Sequence, residues 1–445
     1  MKIEVGGWRK ASLAAAVATA LGGWGGAASA AGFQLQEQNA SGLGLAYSGM
    51  AAAVQDASTV FWNPAGMSYL PGIQGAVALN YIIPDTKFSS SGPLPGGSTY
   101  NALGNGGQGG ESAFVPAMYG TWMINPQWSV GLAINVPFGL ATEWDTTWAG
   151  QFHAIKSEVE TININPTVSF KVNNMVSLGA GVSYQRLKAE LTSAAPGAPT
   201  GPLPGGFVGA LARPVTAKVE GDDWAWGWNL GALFDFGQGT HVGLTYRSTI
   251  SYTIEGELTY NGAAPLAPPG QNIKADVKLP DTFSVGLSHR FDPKWRVLAD
   301  YTWTGWDSIQ NLDIQSQATG ASIQNTNLQF KNSWRIGAGV EYQLNQPWLL
   351  RAGIAYDTSP VQDAYRTPRL PDNDRTWLAI GARFQPSPTW WLDFGYTYIW
   401  VSNASSQLQP APVVTGVPGA VYPGNLVGEY KANVQVLGAQ VSFKF

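Results

Sequence analysis

The 445-residue chain contains no cysteine and only three histidines, His153, His241 and His289, set far apart. The first absence excludes a disulfide scaffold and any Cys-ligated metal site, and the histidine spacing offers no ligand set. Charge is scarce as well: 12% of residues carry it, with a net value of −4, too small to imply nucleic acid or another polyanionic partner. The chain has no Gly-x-Ser-x-Gly elbow and no phosphate-binding loop, so the usual nucleophile and nucleotide signatures are missing. Beyond residue 30 no apolar run reaches about eighteen residues, which excludes ordinary transmembrane helices.

What is present points elsewhere. The chain has 54 glycines and 19 tryptophans, and 12% of it is aromatic. It opens with Lys2, Arg9 and Lys10, a short apolar run over 11–21, and Ala28-Ser29-Ala30 as a small-residue cleavage pattern. That is an export leader over residues 1–30, too short in its apolar part to span a bilayer. An exported chain rich in apolar and aromatic residues, but without helical spans, fits a membrane β-barrel. A closed barrel is the other structure that satisfies its backbone in lipid.

Alternation supports the barrel. Trp224, Trp226, Trp228, Leu230 and Phe234 oppose Ala225, Gly227, Asn229, Gly231 and Asp235; Ile336, Ala338, Val340 and Tyr342 oppose Arg335, Gly337, Gly339 and Glu341. Stretches 128–136, 295–303 and 392–400 repeat the pattern, and period 2 sends each set to one face of a sheet. Charged residues on the small-residue face, such as Arg296, Asp300, Arg351, Arg383 and Asp393, read as paired lumen networks rather than catalytic groups. Connections alternate in length. Tight turns fall at 125–127, 173–174, 237–239, 292–294, 345–347 and 386–388. Longer loops lie near 89–111, 143–153, 194–217, 261–271, 315–325, 360–372 and 403–424. Six short and seven long connections give thirteen, hence fourteen strands. An even count matches a bacterial outer-membrane barrel with periplasmic termini.

Two stretches break the pattern. Residues 31–67 do not alternate, yet carry Phe33, Leu35, Tyr47, Phe61 and Trp62. They read as a plug inside the lumen, with a helix over roughly 45–57 and a stop at Asn63-Pro64. The third strand runs into Pro137-Phe138-Gly139, where proline cannot donate to a ladder and glycine can take positive φ. Either the ladder opens there or Pro137 marks the strand's extracellular end. The last strand ends on Phe445, which resembles the signal that outer-membrane barrels present to their insertion machinery.

In order along the chain, AGFQL, SGLGLAYSG, DASTVFWNPAGM, PFGLATEW, WGWN, LTYRS, YDTSPV and LPDNDRTWL resemble the FadL family of outer-membrane transporters of long-chain fatty acids and hydrophobic compounds. The resemblance implies an all-β fold: a 14-stranded antiparallel transmembrane β-barrel (72–445) closed by an N-terminal hatch (31–71). It assigns Phe33, Asn63, Pro64 and Ala65 to the hatch, and Pro137, Phe138 and Gly139 to a lateral gate. A hydrophobic small molecule is captured at extracellular loops and released sideways into outer-membrane lipid. The family's binding cations align with Leu191 and Thr326, which are neutral; Arg186, Lys188 and Lys331 are the nearby candidates for a polar anchor. This departure predicts a preference for neutral or weakly polar substrates, aromatic hydrocarbons among them. A general porin is the functional rival, and a lipid hydrolase would need a nucleophile–base pair that the sequence does not offer. No catalytic residue, cofactor, metal or nucleic acid is expected, and the barrel is expected to be a monomer.

Overall fold

The computed structural model describes residues 32–91, 104–195, 215–262, 269–408 and 426–445. The expected leader, 1–30, and parts of four of the long loops lie outside the described residues.

Fourteen antiparallel strands form one closed sheet. The first six are β1 (Ile73–Ser90), β2 (Ala113–Met123), β3 (Trp128–Asn135 and Gly139–Glu143), β4 (Lys156–Lys171), β5 (Val176–Ala195) and β6 (Val215–Asp235). Four strands in two segments follow: β7 (Thr240–Arg247, Ile250–Asn261), β8 (Gln271–Leu279, Thr282–Arg290), β9 (Trp295–Thr304, Asn311–Ser316) and β10 (Ser322–Asn327, Ser333–Asn345). The last are β11 (Trp348–Asp357), β12 (Arg375–Ser387), β13 (Trp390–Val401, Ala404–Leu408) and β14 (Leu426–Lys444). Each strand pairs with its sequence neighbours, and β1 closes on β14 from Gln74 opposite Lys444 to Ser90 opposite Gly428.

The alternation has the physical meaning expected of it. Trp226, Leu230, Ile336, Ile354, Ile380 and Leu437 stand exposed on the outside, while Asn163, Asn165, Ser169 and Ser177 are buried inside. Apolar outside and polar inside inverts a soluble protein and suits lipid. Trp122, Trp128, Phe236, Phe291, Trp295, Trp348 and Phe445 are exposed beside the short turns or the C-terminus, as one aromatic girdle. Gly237, Gln238 and Gly239 take positive φ in one of those turns, which is why two glycines flank it.

The N-terminal segment fills the lumen. It holds α1 (Ala40–Leu43), α2 (Thr59–Trp62) and a 3₁₀ turn over Pro64–Tyr69. The helix expected near 45–57 does not form. Ala46, Tyr47 and Gly49 take positive φ there, so the chain coils in turns that a helix cannot continue. The stop at Asn63-Pro64 is present: Asn63 ends α2, and its side chain accepts the amide of Ala65.

The close fit of hatch to wall has a simple origin. Glycines at 131, 179, 231, 243, 286, 353, 381, 395 and 438 face the hatch, and a Cβ on any of them would press on hatch atoms. They lie on nine of the fourteen strands, so much of the lumen wall is smooth at hatch level. Hydrogen bonds then fix the rotation. Arg335, paired with Asp300, donates to the carbonyl of Ala46, and Asn63 Nδ2 donates to Ala51 O and Ala232 O. Arg351, between Glu341 and Asp393, reaches Gln55. Here the charged lumen residues form the paired network that their positions imply.

Candidate functional site

The site is built where β3 fails. Its alternation ends at Asn135, and Val136 turns inward to pack on the hatch with Leu35. Pairing with β2 runs only from Met118 opposite Ile134 to Met123 opposite Ser129. Residues 113–117 of β2 therefore pair with β1 alone, until Gly110 bridges Thr142 beyond the kink. Pro116 lies in that unpaired stretch, a second place where a ladder donor is missing. Between β2 and β3 the barrel wall has a gap.

Backbone groups at the kink find partners elsewhere, as buried polar groups must. Leu35 N–H donates to Pro137 O at 2.9 Å, and Gly139 N–H donates to Phe33 O at 2.9 Å. The Thr161 hydroxyl takes Phe138 N–H at 3.0 Å and donates to Phe138 O at 2.6 Å. Gln38 Nε2 donates to Val136 O, and its Oε1 accepts from Asn135 Nδ2. The kink is thus a strand edge that borrows the N-terminal segment as its neighbour. Gly139 does not adopt positive φ; the bend comes from the missing proline donor and from these substitute partners.

Behind the kink lies an apolar cavity of about 480 Å³. Phe33, Leu140, Val159, Leu187, Leu191, Ile254, Ile309, Leu328 and Phe330 line it. Its volume falls within the roughly 300–1,000 Å³ typical of small-molecule sites. Phe33 sits 4.9 Å from the Trp306 ring and 6.0 Å from that of Phe138, so hatch and kink meet at the cavity's wall. Gly32 N–H donates to Asp372 Oδ2 at 2.8 Å, which ties the hatch to the loop between β11 and β12. Asn63, Pro64 and Ala65 lie far from the cavity, seated against Gly179 and Gly231.

None of the polar anchors expected from sequence is among the residues that line the cavity. Leu187, Ala189 and Leu191 line the cavity, so Arg186 and Lys188 alternate to the outside. There Arg186 pairs with Asp222 at 2.9 Å and Lys188 with Glu220 at 3.1 Å. Lys331 is exposed beside the cavity-lining Phe330. Leu191 and Thr326 do line the cavity, but it is not without a cation. Arg369, from the loop between β11 and β12, is part of its lining. The expected preference for neutral substrates rests on Leu191 and Thr326 and takes no account of this side chain. Sequence reading missed Arg369, Thr161 and Gln38; Arg369 immediately precedes the LPDNDRTWL stretch and carried no alternation to betray its direction.

Residues 24–445 match the family model described as outer membrane protein transport protein (OMPP1/FadL/TodX). The chain is 32% identical over 397 residues to a long-chain fatty acid transport protein of Shigella flexneri, covering 83% of this chain and 87% of that protein. It is 30% identical over 443 residues to a 47 kDa outer membrane protein of Pasteurella multocida (strain Pm70), covering 96% and 97%. Among solved structures, a Pseudomonas aeruginosa FadL homologue superposes with a TM-score of 0.81 at 27% identity, over 93% of this chain and all of that one. The toluene transporter TodX of P. putida, at 18% identity and a TM-score of 0.65 over 87% and 94%, shares the fold.

Proposed function

The chain belongs to the OMPP1/FadL/TodX family of outer-membrane transport proteins, and from that membership we propose that it carries long-chain fatty acids across the outer membrane. Substrate is captured between the extracellular loops, held in the apolar cavity, and released sideways between β2 and β3 into the surrounding lipid. The observation that carries this reading is the unpaired stretch 113–117 of β2 opposite an inward kink, beside an acyl-sized cavity. Phe33 and Phe138 are the groups that must shift to join cavity and gap, and both belong to the same borrowed strand pairing. Leaving sideways also suits the cargo: an acyl chain pushed into aqueous periplasm loses roughly 0.8 kcal/mol of burial per CH₂.

The hatch supports transport over an open pore, because a porin has no use for a plug fitted against the glycines of nine strands. The test is uptake of radiolabelled oleate by Gram-negative cells that lack their own fatty-acid transporter. Expression of this chain should restore uptake well above the vector control. Vector-level uptake by cells carrying correctly inserted protein overturns the reading.

A further inference from the structure

Most cations enclosed by this barrel come with carboxylates. Arg351 has Glu341 and Asp393, Arg335 has Asp300, and Arg375 has Asp372. Two half-buried arginines have no such partner among the described residues: Arg247, which donates to Phe61 O and lies over the Phe61 ring of the hatch, and Arg369, which borders the apolar cavity. Among the described residues Arg369 makes its hydrogen bonds from Nη1, to Lys156 O at 3.2 Å, Ser157 Oγ at 3.0 Å and Thr192 O at 3.4 Å. No ion pair includes it among the described residues, and the loop sequences outside them, 92–103, 196–214, 263–268 and 409–425, hold no Asp or Glu. Nη1 is spent on holding the loop to β4 and β5. Among the described residues the Nε and Nη2 edge, the side of the guanidinium that matches a carboxylate's two oxygens, makes no hydrogen bond.

Burial alone pushes Arg369 down, to about 10, with no acidic neighbour offsetting it, so the side chain remains cationic at neutral pH. An uncompensated charge beside an apolar cavity is costly unless something pairs with it. Asp276 and Lys278 also border the cavity, but both are exposed, and Asp276 accepts from Thr253.

We propose that Arg369 is the specificity residue of the cavity, binding the carboxylate of an acyl substrate through its Nε–Nη2 edge while the tail lies along Leu187, Leu191, Ile309 and Leu328. This rests on the transport reading above and gives it a headgroup. An unpaired guanidinium at the wall of an apolar chamber selects a singly charged head on an apolar tail. It places the anchor on the loop between β11 and β12, rather than on β5 and β10 where Leu191 and Thr326 are neutral.

The test compares equilibrium binding of radiolabelled palmitate and methyl palmitate to purified protein in amphipol. Wild type should favour the acid at least tenfold. Arg369→Gln should bring the ratio close to one with ester affinity unchanged, and Arg369→Lys should keep part of the preference. A wild-type ratio near one, or a preference that survives in Arg369→Gln, overturns the proposal and leaves transport standing. Equal loss of acid and ester binding in a folded Arg369→Gln, judged by heat-modifiable mobility, also overturns it, because that is the mark of a loop staple. If Arg369→Gln does not fold, Arg369→Lys decides: an undiminished acid preference with a shorter, single-pronged head overturns the forked geometry. Binding of neither ligand by wild type defeats the transport reading itself.

Discussion

The hydroxyl of Thr161 serves both main-chain groups of Phe138, accepting its N–H at 3.0 Å and donating to its carbonyl at 2.6 Å. One side chain on β4 thereby replaces the ladder that β3 has lost. The kink is a stable inward fold because its polar groups are satisfied, by Thr161 on one side and by Phe33 and Leu35 on the other.

Thr161→Val keeps the shape and removes both bonds. Each orphaned buried group costs about 1–3 kcal/mol, enough to loosen a local element without unfolding a barrel whose β4–β5 ladder is intact. The amide of Phe138 should exchange with deuterium at least tenfold faster than in wild type. Unchanged exchange would mean that the N-terminal pairing alone holds the kink.

Pro137→Val with Gly139→Thr restores an amide donor and favours extended geometry. The double variant should insert normally, bind palmitate in the cavity, and take up oleate at close to background rate. Wild-type uptake by this variant would show that substrate leaves by another route, most directly down the lumen past the hatch.

Strand number, turn positions and outward faces were legible in the sequence because period 2 and the lipid–lumen contrast act residue by residue. Val136 marks the limit of that logic: it continues the alternating set of Val130, Leu132 and Ile134, yet turns inward because the next residue cannot donate. The hatch was legible as an exception and not as a structure. Its turns depend on positive φ at Ala46 and Tyr47, which only the surrounding wall can enforce. Arg369 was invisible for a related reason. In a loop no periodicity fixes direction, whereas on β5 the same rule sends Arg186 and Lys188 outward.

The glycine-lined wall predicts how the plug can be dislodged. A side chain at Gly243 on β7 would overlap the carbonyl of Ala51, so Gly243→Val should push the hatch from its seat. Single-channel conductance in planar bilayers should rise from near zero to that of an open pore. Gly120→Ala, where an added Cβ meets nothing within 4 Å, should stay closed and serves as the control. A closed trace for Gly243→Val would place the barrier elsewhere than in the hatch.

Hatch seating should also depend on pH through Glu37. This carboxyl is buried in the hatch with Oε2 unbonded, and its pKa is pushed up to about 7. Burial is the main cause; Arg375 opposes it and Asp357 adds to it. A raised acid pKa means that the folded state holds the proton more tightly than the unfolded one. The stabilisation is fully present below 4.5, the ordinary value, and is lost as pH rises through about 7. At about 1.4 kcal/mol per pH unit the swing is on the order of 3 kcal/mol as an upper bound. Glu37→Gln is neutral at every pH and should remove the dependence. Brief channel openings should therefore be more frequent at pH 8 than at pH 5 in wild type, and equally rare at both in Glu37→Gln. If wild type opens more often at pH 5, or the variant keeps the wild-type slope, another group sets the seating of the hatch.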